Sequence, residues 1–230
     1  MRGLGGILFG ALAVSGTAEA GPWAQAPGGI YARSVFSAER LDGEDGWRGD
    51  VYGEYGLPGR FTLTGKLESV RYDSGVSDAD AYRVSVRRQL WSGAKGWAIG
   101  AEAAAIHGTA LAGVFGCQGW GGEARLSAGR SGTTRRGHDY YLFADAAWIR
   151  QEGGCDRQRF EFGYGIDLGE HVFTAQQVWL EYGRMSADSV KSETQLGYHF
   201  PLADLSVGYR EELGGEFDEQ AVLIAVTVRR

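Results

Sequence analysis

The ten residues Arg159-Phe160-Glu161-Phe162-Gly163-Tyr164-Gly165-Ile166-Asp167-Leu168 decide the fold. Phe160, Phe162, Tyr164, Ile166 and Leu168 fall on one parity, and Arg159, Glu161, Gly163, Gly165 and Asp167 on the other. A helix would smear rings and charges around its whole circumference. A strand separates them completely, because successive side chains point to opposite faces.

The same period of two recurs along the chain. Arg60–Tyr72 sets Phe61, Leu63 and Leu67 against Thr62, Thr64, Lys66 and Glu68. Ala81–Leu90 sets Tyr82, Val84 and Val86 against Arg83, Ser85 and Arg87. Trp97–Ala105, Trp120–Ala128, Val190–Phe200 and Leu205–Glu211 alternate in the same way. Less regular strands are expected over Ile30–Arg40, Asp50–Leu57, Asp139–Arg150, His171–Met185 and Glu219–Arg229. The total is about twelve.

Two classes of connection alternate between these strands. Leu57-Pro58-Gly59, Ser92–Gly96, Leu168-Gly169-Glu170 and Pro201–Asp204 are turn-like. Asp42–Gly46, Asp73–Asp78 and Gly214–Glu216 are acidic and glycine-rich. If the chain starts in the periplasm, the second set points out of the cell. No linker or composition break divides the chain, so one domain is expected.

Composition removes several alternatives. The formal charge is −6 over 230 residues, which leaves no basic excess for nucleic acid. Glycine reaches 38 residues, more than twice the usual share of roughly 7%. With 7 Trp and 11 Tyr the chain is not compositionally disordered. Mean hydropathy is −0.25, and past the first twenty residues no apolar run approaches the ~20 residues of a spanning helix.

Residues 1–20 read as an export signal. Arg2 supplies the positive start, Leu4–Val14 the apolar stretch, and Ala18-Glu19-Ala20 the small-residue cleavage site. The expected division is a signal peptide at 1–20, a short periplasmic lead-in at 21–29 and a barrel at 30–230.

Both a soluble sandwich and a membrane barrel alternate, and they differ in what meets each face. The polar face here combines Gly with Arg and Glu, which suits a confined wet interior. The apolar face carries Trp91 and Trp97 at one turn and Trp47 and Trp120 toward the other side. Rings of that kind sit at the headgroup level of a bilayer. Backbone groups in hydrocarbon must all be paired, which a closed barrel achieves without edges. The expected fold is therefore all-β: a closed antiparallel transmembrane β-barrel of about 12 strands with short turns. A soluble lipocalin-like barrel is the competing reading.

With its export signal, alternating strands, inward glycines and aromatic flanks, the chain from Gly29 to Arg230 resembles the small outer-membrane β-barrel proteins of Gram-negative bacteria. The resemblance is to the porin-like architecture and to no one family. It implies the cell outer membrane as location, and outer-membrane lipid and the barrel-assembly machinery as partners. One departure stands out. Such barrels usually end in an aromatic residue that the assembly machinery recognises, whereas this chain ends Ile224-Ala225-Val226-Thr227-Val228-Arg229-Arg230.

Parity places Glu54, Lys66, Glu68, Arg83, Arg87, Glu102, Glu123, Arg125, Arg159, Glu161, Glu181, Glu193 and Arg210 on the inner face, with Arg33, Asp145, Asp167 and Glu212. Opposite signs in a narrow lumen should pair across strands. The pattern fits a narrow passive channel for small polar solutes, and equally a charge network that fills the barrel. Twelve strands lie between those that close on side chains and those that leave a wide channel. The inward glycines favour a narrow opening, and the mixed signs argue against strong charge preference.

Strand counting puts Cys117 and Cys155 on the same side of the barrel, where an oxidising compartment would let them pair. The alternative is two free thiols too far apart to bridge. No His or second Cys stands at metal-ligand spacing, so no metal or other cofactor is expected. Some barrels are lipid-modifying enzymes. The histidines are His107, His138, His171 and His199, with no recognisable Ser–His motif and no G-x-S-x-G, so no catalytic residue is assigned. Three readings remain: a channel, a structural or adhesion barrel with a plugged lumen, and a lipid-modifying barrel enzyme.

Overall fold

A computed structural model describes residues 21–75, 78–109, 117–184 and 188–230. The expected export signal lies outside the described residues, as do most of the His107–Gly116 connection, Val76-Ser77 and Met185.

Twelve strands run in chain order: β1 Ile30–Leu41, β2 Glu44–Leu57, β3 Phe61–Tyr72, β4 Ala79–Ser92, β5 Trp97–Gly108, β6 Trp120–Thr133, β7 Asp139–Gln151, β8 Cys155–Asp167, β9 Val172–Arg184, β10 Ser189–His199, β11 Asp204–Gly215 and β12 Glu219–Arg229. Each pairs antiparallel with its chain neighbours, and β1 pairs with β12 to close the ring. The closing pair runs from Tyr31↔Arg229 to Leu41↔Glu219. It is finished by mutual backbone bonds between Ile30 and Arg230 of 2.8 and 2.9 Å. The end that holds Ile30 and Arg229 is called the terminal end here, and the opposite one the far end.

Two strands begin earlier than the sequence suggests. β2 starts at Glu44 instead of Asp50, and β8 at Cys155 instead of Arg159. At the first of these, Asp42 (φ 50°) and Gly43 (φ 88°) are both left-handed. That is the two-residue hairpin turn whose twist matches its strands, so pairing resumes at once with Leu41↔Glu44. The acidic cluster that reads as a loop is therefore mostly strand.

The outward face is predominantly apolar. Phe36, Leu67, Val84, Leu126, Phe162 and Ile224 are all exposed on it. Trp47 and Trp120 lie toward the far end, and Trp91 and Trp97 toward the terminal end, all exposed. A belt of this kind suits hydrocarbon rather than water. Its polar members on β9 and β10 bond to one another. Gln176 Nε2 donates to Ser192 Oγ at 2.8 Å, Thr194 Oγ1 donates to Gln176 Oε1, and Thr174 Oγ1 donates to the Gln195 carbonyl at 2.9 Å. Such pairing lowers the cost of placing them against lipid.

Inward glycines do not mark open space. An added Cβ at Gly163 would lie 2.3 Å from the Phe143 ring, and one at Gly197 would lie 2.1 Å from the Phe173 ring. Phe143 and Phe173 are buried inside the barrel, so each glycine seats a ring from the next strand. Residues 21–29 do not hang outside as a lead-in. Pro22 is fully buried, and the chain runs along the inner wall near the terminal end from β2 to β6.

Cys117 and Cys155 form a disulfide with a Cα–Cα distance of 5.6 Å. It spans β7 and ties the chain entering β6 to the start of β8. Beside it Gln151 Nε2 donates toward the carbonyls of Gly108, Cys117 and Gly119 at 3.2, 3.0 and 3.0 Å.

Two outcomes follow. Gly163→Val should lower unfolding stability in urea by about 1–3 kcal/mol, because the Phe143 ring has no free space to enter. Gly65→Ala, which meets nothing within 4 Å, should leave it unchanged. Reduction should slow the band on a denaturing gel, and removing the bond, which closes a 38-residue separation, should cost up to about 4 kcal/mol. A Cys117→Ala variant whose mobility still responds to reductant would contradict the pairing.

Candidate functional site

The strands deliver their charged residues to the lumen in three groups. Near the far end, Arg48 of β2 is enclosed by carboxylates from three other strands. Its Nε lies 2.8 Å from Glu39, and its terminal nitrogens lie 2.7 Å from Glu68 and 3.8 Å from Glu219. Glu219 also pairs with Lys191, and with Arg210 at 3.7 Å. The Tyr72 hydroxyl donates to Glu39 at 2.5 Å. A planar fork with five donors suits this task, because each carboxylate meets a separate N–H.

At mid-height Arg125 holds Glu123 at 2.9 Å, Asp145 at 3.2 Å and Glu161 at 3.4 Å. Arg83 bridges Glu102 at 2.5 Å and Glu123 at 3.1 Å, and the Ser85 hydroxyl donates to Glu102. Toward the terminal end Arg87 pairs with Glu54 at 2.8 Å, and Glu54 accepts from the Tyr52 hydroxyl at 2.6 Å. On β8, Arg157 pairs with Glu181 at 2.7 Å.

These groups surround a central cavity of about 160 Å³. Of the residues assigned to the inner face by parity, Lys66, Glu68, Arg83, Glu123, Arg125, Arg159, Glu161, Glu181, Glu193 and Arg210 line it. Glu54, Arg87 and Glu102 are buried on the same face but stand behind the lining. Sequence reasoning missed Glu39, Arg48, Asp50, Arg157, Lys191, Trp179 and Glu219. Arg48 and Arg157 lie just ahead of Asp50 and Arg159, where the alternation alone begins the two strands. Lys191 shares the parity of Glu193 and was within reach of the alternation.

The signs are sorted by depth. Among the described residues nine cationic and six anionic side chains touch the cavity, while Arg87 and the acids Glu39, Glu54, Glu102, Asp145, Glu212 and Glu219 stand behind them. The side chains in contact with the cavity thus carry an excess of three positive charges, in a chain of net charge −6. Arg159 faces the cavity and makes no ion pair among the described residues, and its Nε is buried without a partner.

The histidines are dispersed. His107 sits on the outward face between Tyr82 and Trp120, with ring centroids 6.1 and 4.7 Å away. His171 packs against Tyr198 at the terminal end, and His138 lies in the turn before β7. His199 lies inside between Asp204 at 2.7 Å and Asp167 at 3.3 Å.

Arg48→Met leaves Glu39 buried without its ion-pair partner, whereas Glu219 keeps Lys191 and Arg210. The substitution should cost about 3–5 kcal/mol in urea unfolding, and Glu39→Gln in the same chain should recover part of the loss. A strictly additive double variant would show that the pair is not coupled.

No family model matches the chain, and no curated protein matches it. Solved structures do. The KdgM porin, solved in complex with disordered oligogalacturonate, superposes with a TM-score of 0.62 at 9% identity over 85% of this chain and 98% of that one. The NanC porin gives 0.60 at 11% identity over 85% and 98%. The COG4313 outer membrane channel from Pseudomonas putida F1 gives 0.56 at 12% identity over 91% and 98%. At such identities the likeness is one of fold. The chain is a closed twelve-stranded antiparallel β-barrel, a fold it shares with these porins.

Proposed function

We propose that the protein is a narrow passive channel of the outer membrane that passes small polar solutes. The single observation carrying this reading is the charged cavity inside a closed wall whose outer face is predominantly apolar. A lumen of about 160 Å³ falls short of the 300–1,000 Å³ typical of pockets for larger ligands. It suits water, small ions and small hydrophilic molecules that exchange hydration for guanidinium and carboxylate contacts. The cationic excess at the cavity surface favours anions over cations of the same size. In this the proposal takes the same direction as the acidic sugar bound by KdgM.

Electroneutral pairs make the passage selective without trapping. A free anion competes with resident carboxylates for each arginine, so it binds briefly and leaves. Arg159 is the exception, with no carboxylate to displace, and is the residue proposed to make first contact.

A second reading, a plugged structural barrel, draws on the buried rings and the chain segment in the lumen. Purified protein in planar bilayers separates the two. Small discrete conductance steps are expected, with a reversal potential in a salt gradient that favours the anion. Arg159→Gln should shift that potential toward the cation. Absence of current at every voltage removes the channel reading.

A further inference from the structure

The segment Gly21–Pro27 has a built place inside the barrel. From Ile30 at the terminal end the chain turns back into the lumen. Gly28 N donates to the Gly56 carbonyl at 2.9 Å, and the Ala26 carbonyl lies over Gly56, where an added Cβ would stand only 1.9 Å away. Gln25 is held twice. Its backbone N–H donates to Thr62 Oγ1 at 3.0 Å, and its Nε2 donates to Glu54 at 2.6 Å. Farther along, Pro22 lies on Gly100 of β5, and Pro22 and Trp23 lie on Gly129 of β6. Added Cβ atoms there would approach to 3.0 and 2.7 Å. Three inward glycines on three strands thus leave a track as deep as one chain, and Pro22 is fully buried in it.

At the same end Tyr31 of β1, Tyr141 and Phe143 of β7 and Phe173 of β9 are buried inside the barrel, on strands beyond either edge of the β2–β6 wall that the strap covers. The strap is fastened by a few polar contacts, whereas the rings stand on barrel strands. Glu54 is already committed to Arg87 and Tyr52, so its bond to Gln25 draws the strap into the ion-pair network.

We infer that Gly21–Pro27 is the constriction element of the conduit, a strap latched through Gln25 to Glu54 and Thr62 that sets the size of solute admitted. This rests on the channel reading above. With the strap in place, the bore at the terminal end is reduced by the depth of one chain. With the strap gone, the glycine track over β2–β6 adds its depth to the bore.

The test uses the full exported chain with Pro22–Ala26 deleted, and separately Gln25→Ala. Folding of each is checked by heat-modifiable mobility on a gel. Single-channel conductance and liposome swelling with sugars of rising size are then compared with wild type. The deletion should raise conductance severalfold and admit larger sugars, and Gln25→Ala should add transient openings to the larger level. Both native cysteines are bonded, so an added thiol at Ala24→Cys reports position without relying on conduction. It should react with a bulky polar maleimide much more slowly than one at Ala94→Cys in the exposed β4–β5 turn, and faster once Gln25→Ala is added. A folded deletion variant with wild-type conductance overturns the inference while leaving the channel intact. Equal labelling at the two positions also overturns it. Silence from every variant, with Ala24→Cys still protected, removes the channel reading and this inference with it.

Discussion

An amide in hydrocarbon has no water to fall back on, so every N–H and C=O within the bilayer must find a partner in the chain itself. The pairing of β1 with β12 meets that requirement at the last open edge. The other features depend on it. Without closure the belt of Phe, Leu, Val and Ile side chains would lack a continuous wall to cover, and the charged interior would open to lipid. With closure one ring of strands presents an oily exterior and a wet interior from the same alternation.

A charged interior brings its own constraint. Carboxylates removed from water need donors, and arginine supplies several in fixed geometry. Arg48, Arg83 and Arg125 each serve more than one acid, so the network reaches across strands that are not neighbours. That cross-bracing has a chemical by-product. Acids drawn back to the wall leave more guanidinium and ammonium groups than carboxylates in contact with the cavity. The sign of that inner surface is therefore a result of how the charges are tethered, and it differs from the sign of the whole chain.

The architecture was legible because period-two alternation survives wherever one face meets lipid, as from Arg159 to Leu168. The inward charges were legible for the same reason: parity alone puts Glu123, Arg125 and Glu161 inside. The pairing of Cys117 with Cys155 followed from counting strand ends. Other features were hidden. The two-residue Asp42-Gly43 turn sits in an acidic cluster that reads as a loop, so the strand carrying Arg48 seemed to start after it. Glycine at positions 163 and 197 reads as absence of volume, but the volume belongs to a ring on the next strand, which no local pattern reports. The strap was hidden for the same reason. Gly21–Gly29 alternates with nothing, and its contacts are to residues more than 25 positions away, at Glu54, Thr62, Gly100 and Gly129.

The seam between the first and last strands also bears on how the molecule is put together. Residues lodged within a finished cylinder would otherwise have to be threaded through an opening. Here the lodged segment is tethered directly to the first strand, whose outer edge stays free until the final strand arrives. While the sheet is still an open, curled ribbon, its concave side is accessible from that edge. The short segment can settle there before the edges zip together, so its enclosure and completion of the wall become one event in biogenesis.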